Sequence, residues 1–374
     1  MKTKEISRLL AALLVLAFTV ATCNAPILAM QTVTQPEYAI GFNIEYFADG
    51  AKILIDGAGQ RVLLLPEGGT APEGVSYDVE IAGPIERVVA LSTTQAGHFA
   101  KLNIVEKLKG VATAADRWYI PEIKEAVENG KIVNVADDNE AIMALDPDLV
   151  LHGSAARDVE RAELLKTAGL TCIQFDDSKE DHYLGRAEWL KFLGAFFDKE
   201  EEAEQLVAEN KQRVIAVTNQ TADIAERPQV LWFYYSSSGV NWNVYTELDY
   251  ISTLVEAAGG DLLVPTGLSA SNVSTAVKVQ DEDFLSLILG ADVIIFGRSL
   301  ASYPTATDLT YFNNSAIDFS EAPAFQQGAC YVVASDWFQA TADVAPIIES
   351  LAALLQPEIF SDLSVTKFEK FFLE

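Results

Sequence analysis

Aromatic rings and a few cations recur in this chain just past short apolar runs. Arg117-Trp118-Tyr119 follow GVAT, His152 closes DLVLHG, Tyr234-Tyr235 close QVLWFYY with Trp242 soon after, Arg298 closes DVIIFGR, and Trp337-Phe338 follow CYVVASD. If those runs are strands of open α/β sheets, these residues lie beyond the carboxyl ends, where such sheets bind ligands. Rings so placed bury a large area at little entropic cost and still offer polar tips, which suits capture of a flat or bulky molecule. A single ring reads as readily as core packing; the grouping at strand ends singles these out. Catalytic signatures are missing: the chain contains no GxSxG, GxxxxGKS or HExxH. His98, His152 and His182 are the only histidines, and a bare zinc or manganese site would want three or four His and carboxylate ligands together.

The elements that must position these residues follow from periodicity. Candidate strands at 87–92, 110–113, 131–135, 148–153 and 171–176 alternate with helical stretches, the signature of βαβ units and a largely parallel sheet. Between 183 and 222 only helix remains, and Ala203, Leu206, Val207, Asn210, Val214 and Val217 share one helical face. About twenty residues at 1.5 Å each give a rod of roughly 30 Å, enough to cross between lobes. Pro228 ends it, and strands resume at 229–235, 261–264, 292–298 and 330–336, with a closing amphipathic helix in ADVAPIIESLAALLQPEIF. Before the first lobe, residues 31–84 alternate apolar and polar with turn signals at Asp49-Gly50 and Asp56-Gly57, predicting a small β-meander packed on the lobe's edge. The expected fold is therefore α/β. It comprises a leader at 1–30, a β-rich extension at 31–84, a mostly parallel lobe at 85–182, a helical connector at 183–222 containing one long interdomain helix, and a second such lobe at 223–374. EAIMALDPDLVLHGS and EDFLSLILGADVIIFGRS echo each other, each running from a Glu through a helix to an Asp-led strand and a Gly.

At 374 residues the chain has room for two lobes with their own cores. Lys2, Lys4 and Arg8 precede an apolar run from Leu9 to about Val20, shorter than a membrane-spanning helix, so the start reads as an export signal. Val20-Ala21-Thr22-Cys23 is similar to a lipobox, in which Cys23 would carry lipid; cleavage nearer Ala29 would instead release a soluble protein. Cys172 and Cys330 fall in apolar runs of different lobes and read as buried free thiols. A net charge of −28, spread along the chain, disfavours a nucleic-acid partner.

From about Pro84 to the C-terminus the chain resembles the helical-backbone substrate-binding proteins of ABC importers for iron-siderophores, haem and cobalamin. Four segments carry the likeness: IERVVALSTTQAGHFAKLNIVEKLKGVA, NEAIMALDPDLVLHGS, the helix opening with EEEAEQL, and SDWFQA with the helix after it. The resemblance implies a non-enzymatic, monomeric receptor with no intrinsic cofactor. It would take an iron chelate, haem or a corrinoid in the interlobe cleft and deliver it to a permease dimer with its ATPase. It also implies one exposed Glu per lobe that docks onto permease arginines: Glu140 on the first lobe and Glu282 on the second, with Asp281 or Asp283 as substitutes. For haem, one axial ligand would suffice, with His152, Tyr119 or Tyr235 the candidates, though each reads more readily as a hydrogen-bonded rim residue. Basic residues in the candidate loops are few, chiefly Arg117, Arg157 and Arg298, which favours a neutral hydroxamate, a corrinoid or haem over an anionic tri-catecholate. The rival expectations are a secreted chelatase-type enzyme, which would need a positioned acid–base His, and a surface sensor with the same fold.

Overall fold

The computed structural model describes residues 30–236, 241–265, 275–298 and 317–370. Its N-terminal extension is a five-stranded sheet. Strands β1 (Met30–Thr34), β2 (Asn43–Phe47), β3 (Lys52–Ile55) and β4 (Arg61–Leu65) are antiparallel neighbours in chain order, and β5 (Val79–Ala82) adds to β4 in parallel. The last strand thus departs from the simple meander expected. Gly50 closes the β2–β3 turn at φ 87°, a left-handed conformation open to glycine without steric cost.

Buried carboxylates fasten this extension to the rest of the chain. Glu188, 1% exposed, accepts the backbone N–H groups of Glu37, Tyr38 and Ala39 at 2.9, 2.7 and 2.7 Å. Glu180 accepts those of Ile40 and Gly41 at 2.9 and 3.0 Å, together with the Trp189 indole N–H at 2.8 Å. Asp56 accepts the Gln174 N–H at 2.9 Å, and Gly57 donates to the Gln174 carbonyl at 3.0 Å. The extension therefore covers an edge of the first lobe's sheet that would otherwise present unpaired backbone groups.

The first lobe is a parallel sheet of β6 (Val88–Ala90), β7 (Leu108–Val111), β8 (Val133–Asn134), β9 (Leu149–His152) and β10 (Cys172–Gln174), in the order β10-β9-β6-β7-β8. Helices α1 (Thr93–Lys101), α2 (Pro121–Glu128), α3 (Asn139–Ala144) and α4 (Ala156–Thr167) connect its strands. Two antiparallel helices follow, α5 (Tyr183–Phe196) and α6 (Glu200–Thr221). Both straddle the two cores. Tyr183, Leu184 and Ala187 pack in the second lobe while Trp189, Phe192 and Leu193 pack in the first; Ala203 and Val207 then belong to the first and Val214 and Val217 to the second. Asn210 sits at the crossing, donating to the Leu206 carbonyl at 3.1 Å and accepting the Ala345 N–H at 3.0 Å. The long interdomain helix is present, and α5 lies alongside it as a second strut.

In the second lobe the sheet is mixed. Strand β11 (Gln229–Ser236) pairs antiparallel with β12 (Asn241–Tyr245) and, near its start, parallel with β13 (Asp261–Leu262). Beyond β12 lies β14 (Ala276–Val279), and on the other side of β11 come β15 (Val293–Phe296), β16 (Cys330–Val333) and the antiparallel β17 (Phe368–Lys370). Helices α7 (Tyr250–Ala257), α8 (Asp281–Gly290), α9 (Pro323–Gln326) and α10 (Ala345–Leu355) cover it, with Ile348, Leu351, Ala352 and Leu355 of α10 buried.

The echo between the lobes has a structural basis. Val88 pairs with Leu149, and Val230 with Val293, in two parallel ladders. Just before each ladder an Asp begins the second strand: Asp148 accepts the Arg87 N–H at 2.9 Å, and Asp292 accepts the Gln229 N–H at 2.8 Å. Helices α3 and α8 lead into those two strands and are thus equivalent elements.

Candidate ligand-binding site

The segments that follow β6, β7 and β10 meet the second lobe. There the segment after β16 crosses onto the first. Its short 3-10 turn, Trp337–Gln339, lies on α1, where a Cβ placed on Gly97 would sit 2.4 Å from the Gln339 carbonyl oxygen. Thr341 donates to Asp177 at 3.0 Å, Thr94 donates to the other oxygen of Asp177 at 2.8 Å, and Lys101 pairs with Asp343 at 2.7 Å. A crevice of about 270 Å³ opens on this boundary, lined by Gly97, Lys101, Tyr119, Asp336, Gln339 and Asp343 among others. Another of about 270 Å³ lies between extension and first lobe, at the ends of β4 and β5, but its Lys52 is consumed by Asp198 and Glu200.

Of the residues singled out by sequence, the structure turns some outward and others inward. Arg117 and Tyr119 are exposed on the loop after β7, and Phe338 is exposed on the turn after β16. Tyr234 is half-buried, with its ring 5.7 Å from that of Tyr245 and the Arg298 guanidinium 4.4 Å above it. Arg157 is exposed near Asp137 and Asp158.

Trp118, Tyr235, Trp242 and Trp337 instead belong to interiors. Trp118 is in the first lobe's core and donates its indole N–H to the Thr113 carbonyl at 3.0 Å. Trp242 is on β12, not in a loop; its ring stacks on Phe284 at 4.1 Å and its N–H reaches Asp281 at 2.8 Å. Tyr235 shares that cluster, 4.5 Å from Trp242. Trp337 packs against Trp232 at 5.6 Å, and its N–H meets the Tyr250 hydroxyl at 3.3 Å. Tyr235 and Trp242 are turned inward because residues on a strand buried on both faces offer alternate side chains to two cores and none to the cleft.

His98 and His152 are interior too, while His182 is half-buried. His152 is 3% exposed with Nδ1 2.9 Å from the Gly153 carbonyl, and burial holds its pKa below the ordinary value. It therefore lies in the interior, away from the rim expected of an axial ligand. His98 has each ring nitrogen at a backbone carbonyl, of Thr94 and Arg186, and His182 caps α5 by accepting the Leu184 N–H. Among the described residues no group of three His, Cys, Asp or Glu is placed to hold a metal ion. Cys172 and Cys330 are buried free thiols, and Cys23 lies outside the described residues.

Glu140 and Glu282 are both exposed, each the second residue of its helix, α3 and α8. Because these helices are equivalent, the two acids occupy matching places on the two lobes. Asp281 is half-buried and accepts the Trp242 indole N–H, whereas Asp283 is exposed. Sequence reasoning missed Gln339, Asp177 and Arg186. Gln339 and Asp177 act across the lobe boundary, and Arg186 on α5 lays its guanidinium 3.5 Å over the Tyr250 ring.

Two α/β lobes held by a pair of helices, with a cleft between their strand ends, define a two-lobed solute-binding protein. Residues 88–305 match the family described as periplasmic binding protein, and the chain belongs to that family. It is 23% identical over 385 residues to an uncharacterized lipoprotein of Methanocaldococcus jannaschii, covering 94% of this chain and 89% of that one. It is 28% identical over 230 residues to a cobalamin-binding protein of Halobacterium salinarum, covering 60% and 59%. Among solved structures, a periplasmic binding protein from Veillonella parvula matches with a TM-score of 0.59 at 17% identity, covering 77% of this chain and 89% of that one. S. aureus IsdE complexed with heme matches with a TM-score of 0.55 at 19% identity, covering 73% and 100%. At these identities the structural likeness establishes the fold.

Proposed function

We propose that the chain is the extracytoplasmic receptor of an ABC importer, which takes a metal chelate into the interlobe cleft and hands it to a permease dimer. The observation that carries this is the pairing of a helix-strutted cleft with acids at matching positions on the two lobes, Glu140 and Glu282. Such exposed acids add little affinity singly, but together they orient a partner and read the lobes' separation. Met143 and Leu285, each three residues further along its helix, are exposed beside them and would add apolar contact. The cobalamin-binding relative and the haem-bound structural neighbour support a tetrapyrrole or similar bulky chelate as cargo.

Arg117, Tyr119, Tyr234, Arg298 and Phe338 are the contact residues of this reading. Two arginines in an otherwise acidic protein favour a corrinoid, haem or neutral hydroxamate over a highly anionic catecholate. Each histidine has a ring nitrogen at a backbone group, which supports the receptor reading over a chelatase-type reaction needing a positioned acid–base His. Lipid on Cys23 would anchor the receptor to the outer face of the membrane.

Absorbance and mass spectra of the purified protein, taken after incubation with haemin, cyanocobalamin and mixed ferric siderophores, test the cargo. One chromophore should be retained through gel filtration, and Tyr119→Ala should weaken it at least tenfold. Retention of none, by protein that is folded, refutes the receptor reading. Glu140→Ala with Glu282→Ala should abolish capture by a cognate permease while leaving chelate binding intact.

A further inference from the structure

The side chain of Gln339 hydrogen-bonds across the two lobes. It is 7% exposed, and its amide meets the backbone of the loop after β7 at two points. Oε1 accepts the Tyr119 N–H at 2.9 Å, and Nε2 donates to the Arg117 carbonyl at 2.8 Å. A carboxamide carries a donor and an acceptor at one end, so it pairs with a backbone N–H and C=O as a neighbouring strand would. These two partners also fix which end of the amide is oxygen.

The bond matters because of what flanks it. Tyr119 and Arg117 face outward on the first lobe, and Phe338, the residue before Gln339, faces outward on the second. Behind the turn, Gln339 N donates to the Asp336 carbonyl at 2.8 Å, and Trp337 is fixed in the core. In front, the Gln339 carbonyl lies so near the α1 backbone that only glycine fits at position 97. Rotation of either loop against the other therefore breaks two hydrogen bonds that water reaches poorly.

We propose that Gln339 is a positioning residue: it locks the ligand-facing loop Arg117–Tyr119 of one lobe to the turn Trp337–Phe338 of the other, so that this side of the cleft is a preformed wall. The proposal rests on the receptor reading for its purpose, though not for its geometry. A preformed wall spares the ordering cost of two loops on binding and slows escape of the cargo. Motion that admits the ligand must then occur elsewhere around the cleft.

Two variants attack the lock from opposite lobes. Gln339→Met keeps the volume and removes both bonds; Gly97→Ala places a carbon against the Gln339 carbonyl. Gln339→Glu is the graded control, keeping an acceptor for Tyr119 and losing the donor to Arg117. Spin labels at Lys131→Cys and Glu321→Cys, exposed sites on different lobes, report the interlobe distance distribution by pulsed dipolar spectroscopy. In the wild type it should be narrow with and without haemin or cyanocobalamin. Gln339→Met and Gly97→Ala should both broaden it, with Gln339→Glu intermediate, and should raise the dissociation rate of whichever probe binds about tenfold while its association rate changes less than twofold. Unchanged widths in both Gln339→Met and Gly97→Ala would overturn the lock even if chelates bind. A wild type that binds neither probe nor any siderophore, yet broadens on Gln339→Met, would remove the receptor reading and leave the lock standing.

Discussion

Replacing Glu188 by glutamine should release the N-terminal extension without disturbing the lobes. The carboxylate is 1% exposed; its Oε2 accepts two backbone N–H groups at 2.7 Å and its Oε1 one at 2.9 Å, with Lys191 Nζ at 3.7 Å. Glutamine keeps one oxygen for Tyr38 and Ala39 but turns an NH2 towards the Glu37 N–H. Hydrogen bonds to a charged group are worth about 1.5–3 kcal/mol, and a buried donor left unmatched costs about 1–3 more. Together with two bonds weakened from charged to neutral, the loss is roughly 3–5 kcal/mol. That falls first on residues 37–41, which are also held by Glu180 and by the Lys211–Glu37 ion pair. Amide hydrogen exchange followed by mass spectrometry should show residues 37–41 losing protection by two orders of magnitude or more. Peptides from β6 and β9 should change little. Equal protection in both proteins would refute the view that these carboxylates hold the extension in place.

Two more expectations concern buried groups. Burial pushes the Cys172 thiol up to about 11 and that of Cys330 to about 12. A disulfide exchange reagent at pH 8 should therefore leave both unreacted in the native protein and titrate them only on unfolding; fast reaction of either in the fold would contradict their placement. Burial also holds the pKa of His152, and that of His182, below the usual value near 6.5. Above about pH 6.5 both states carry neutral imidazole and these residues leave stability unchanged. As pH falls below it, the unfolded chain binds protons that the fold refuses, so stability drops until the folded pKa values are passed. His152→Leu should flatten the fall in denaturation midpoint between pH 7 and 5, and an identical slope would refute this.

Periodicity made the long connector readable from sequence. Ala203, Val207, Asn210, Val214 and Val217 of its expected face are all buried, and Leu206 is half-buried. The βα alternation likewise announced the strands at 88–90, 149–152 and 293–296 because each is a compact apolar run. Strand β12 and the edge strands β14 and β17 were not legible: NWNVY and AVKV mix polar and apolar residues as a loop would, and β14 and β17 pair with strands some thirty residues earlier. The same limit governs the aromatics. Being near a strand's end fixes a ring's height in the sheet, yet its direction depends on which faces are covered. Phe233 and Tyr235 thus enter one core with Trp242, Trp232 enters another, and Tyr234 is left half-exposed. Gln339 gave no local signal, because its two partners lie more than 200 residues away.

The duplicated Asp that starts β9 and β15 bears on how a permease could sense loading. Each Asp fixes the register between its strand and the neighbouring central strand, and so fixes the helix leading into that strand. If Glu140 and Glu282 dock a permease as proposed, they would report the position of whole lobes rather than of local loops. With α5 and α6 bracing the lobes on one side, and the bonds of Gln339, Thr341 and Asp343 crossing between them, the separation of the two acids can change only slightly when cargo enters. A large hinge signal of the kind made by flexible interlobe linkers is excluded by that bracing. What a partner can read is a small rotation of two rigid acid-bearing tips, and for that purpose a stiff connector is an advantage, since any slack in it would blur the difference between empty and loaded.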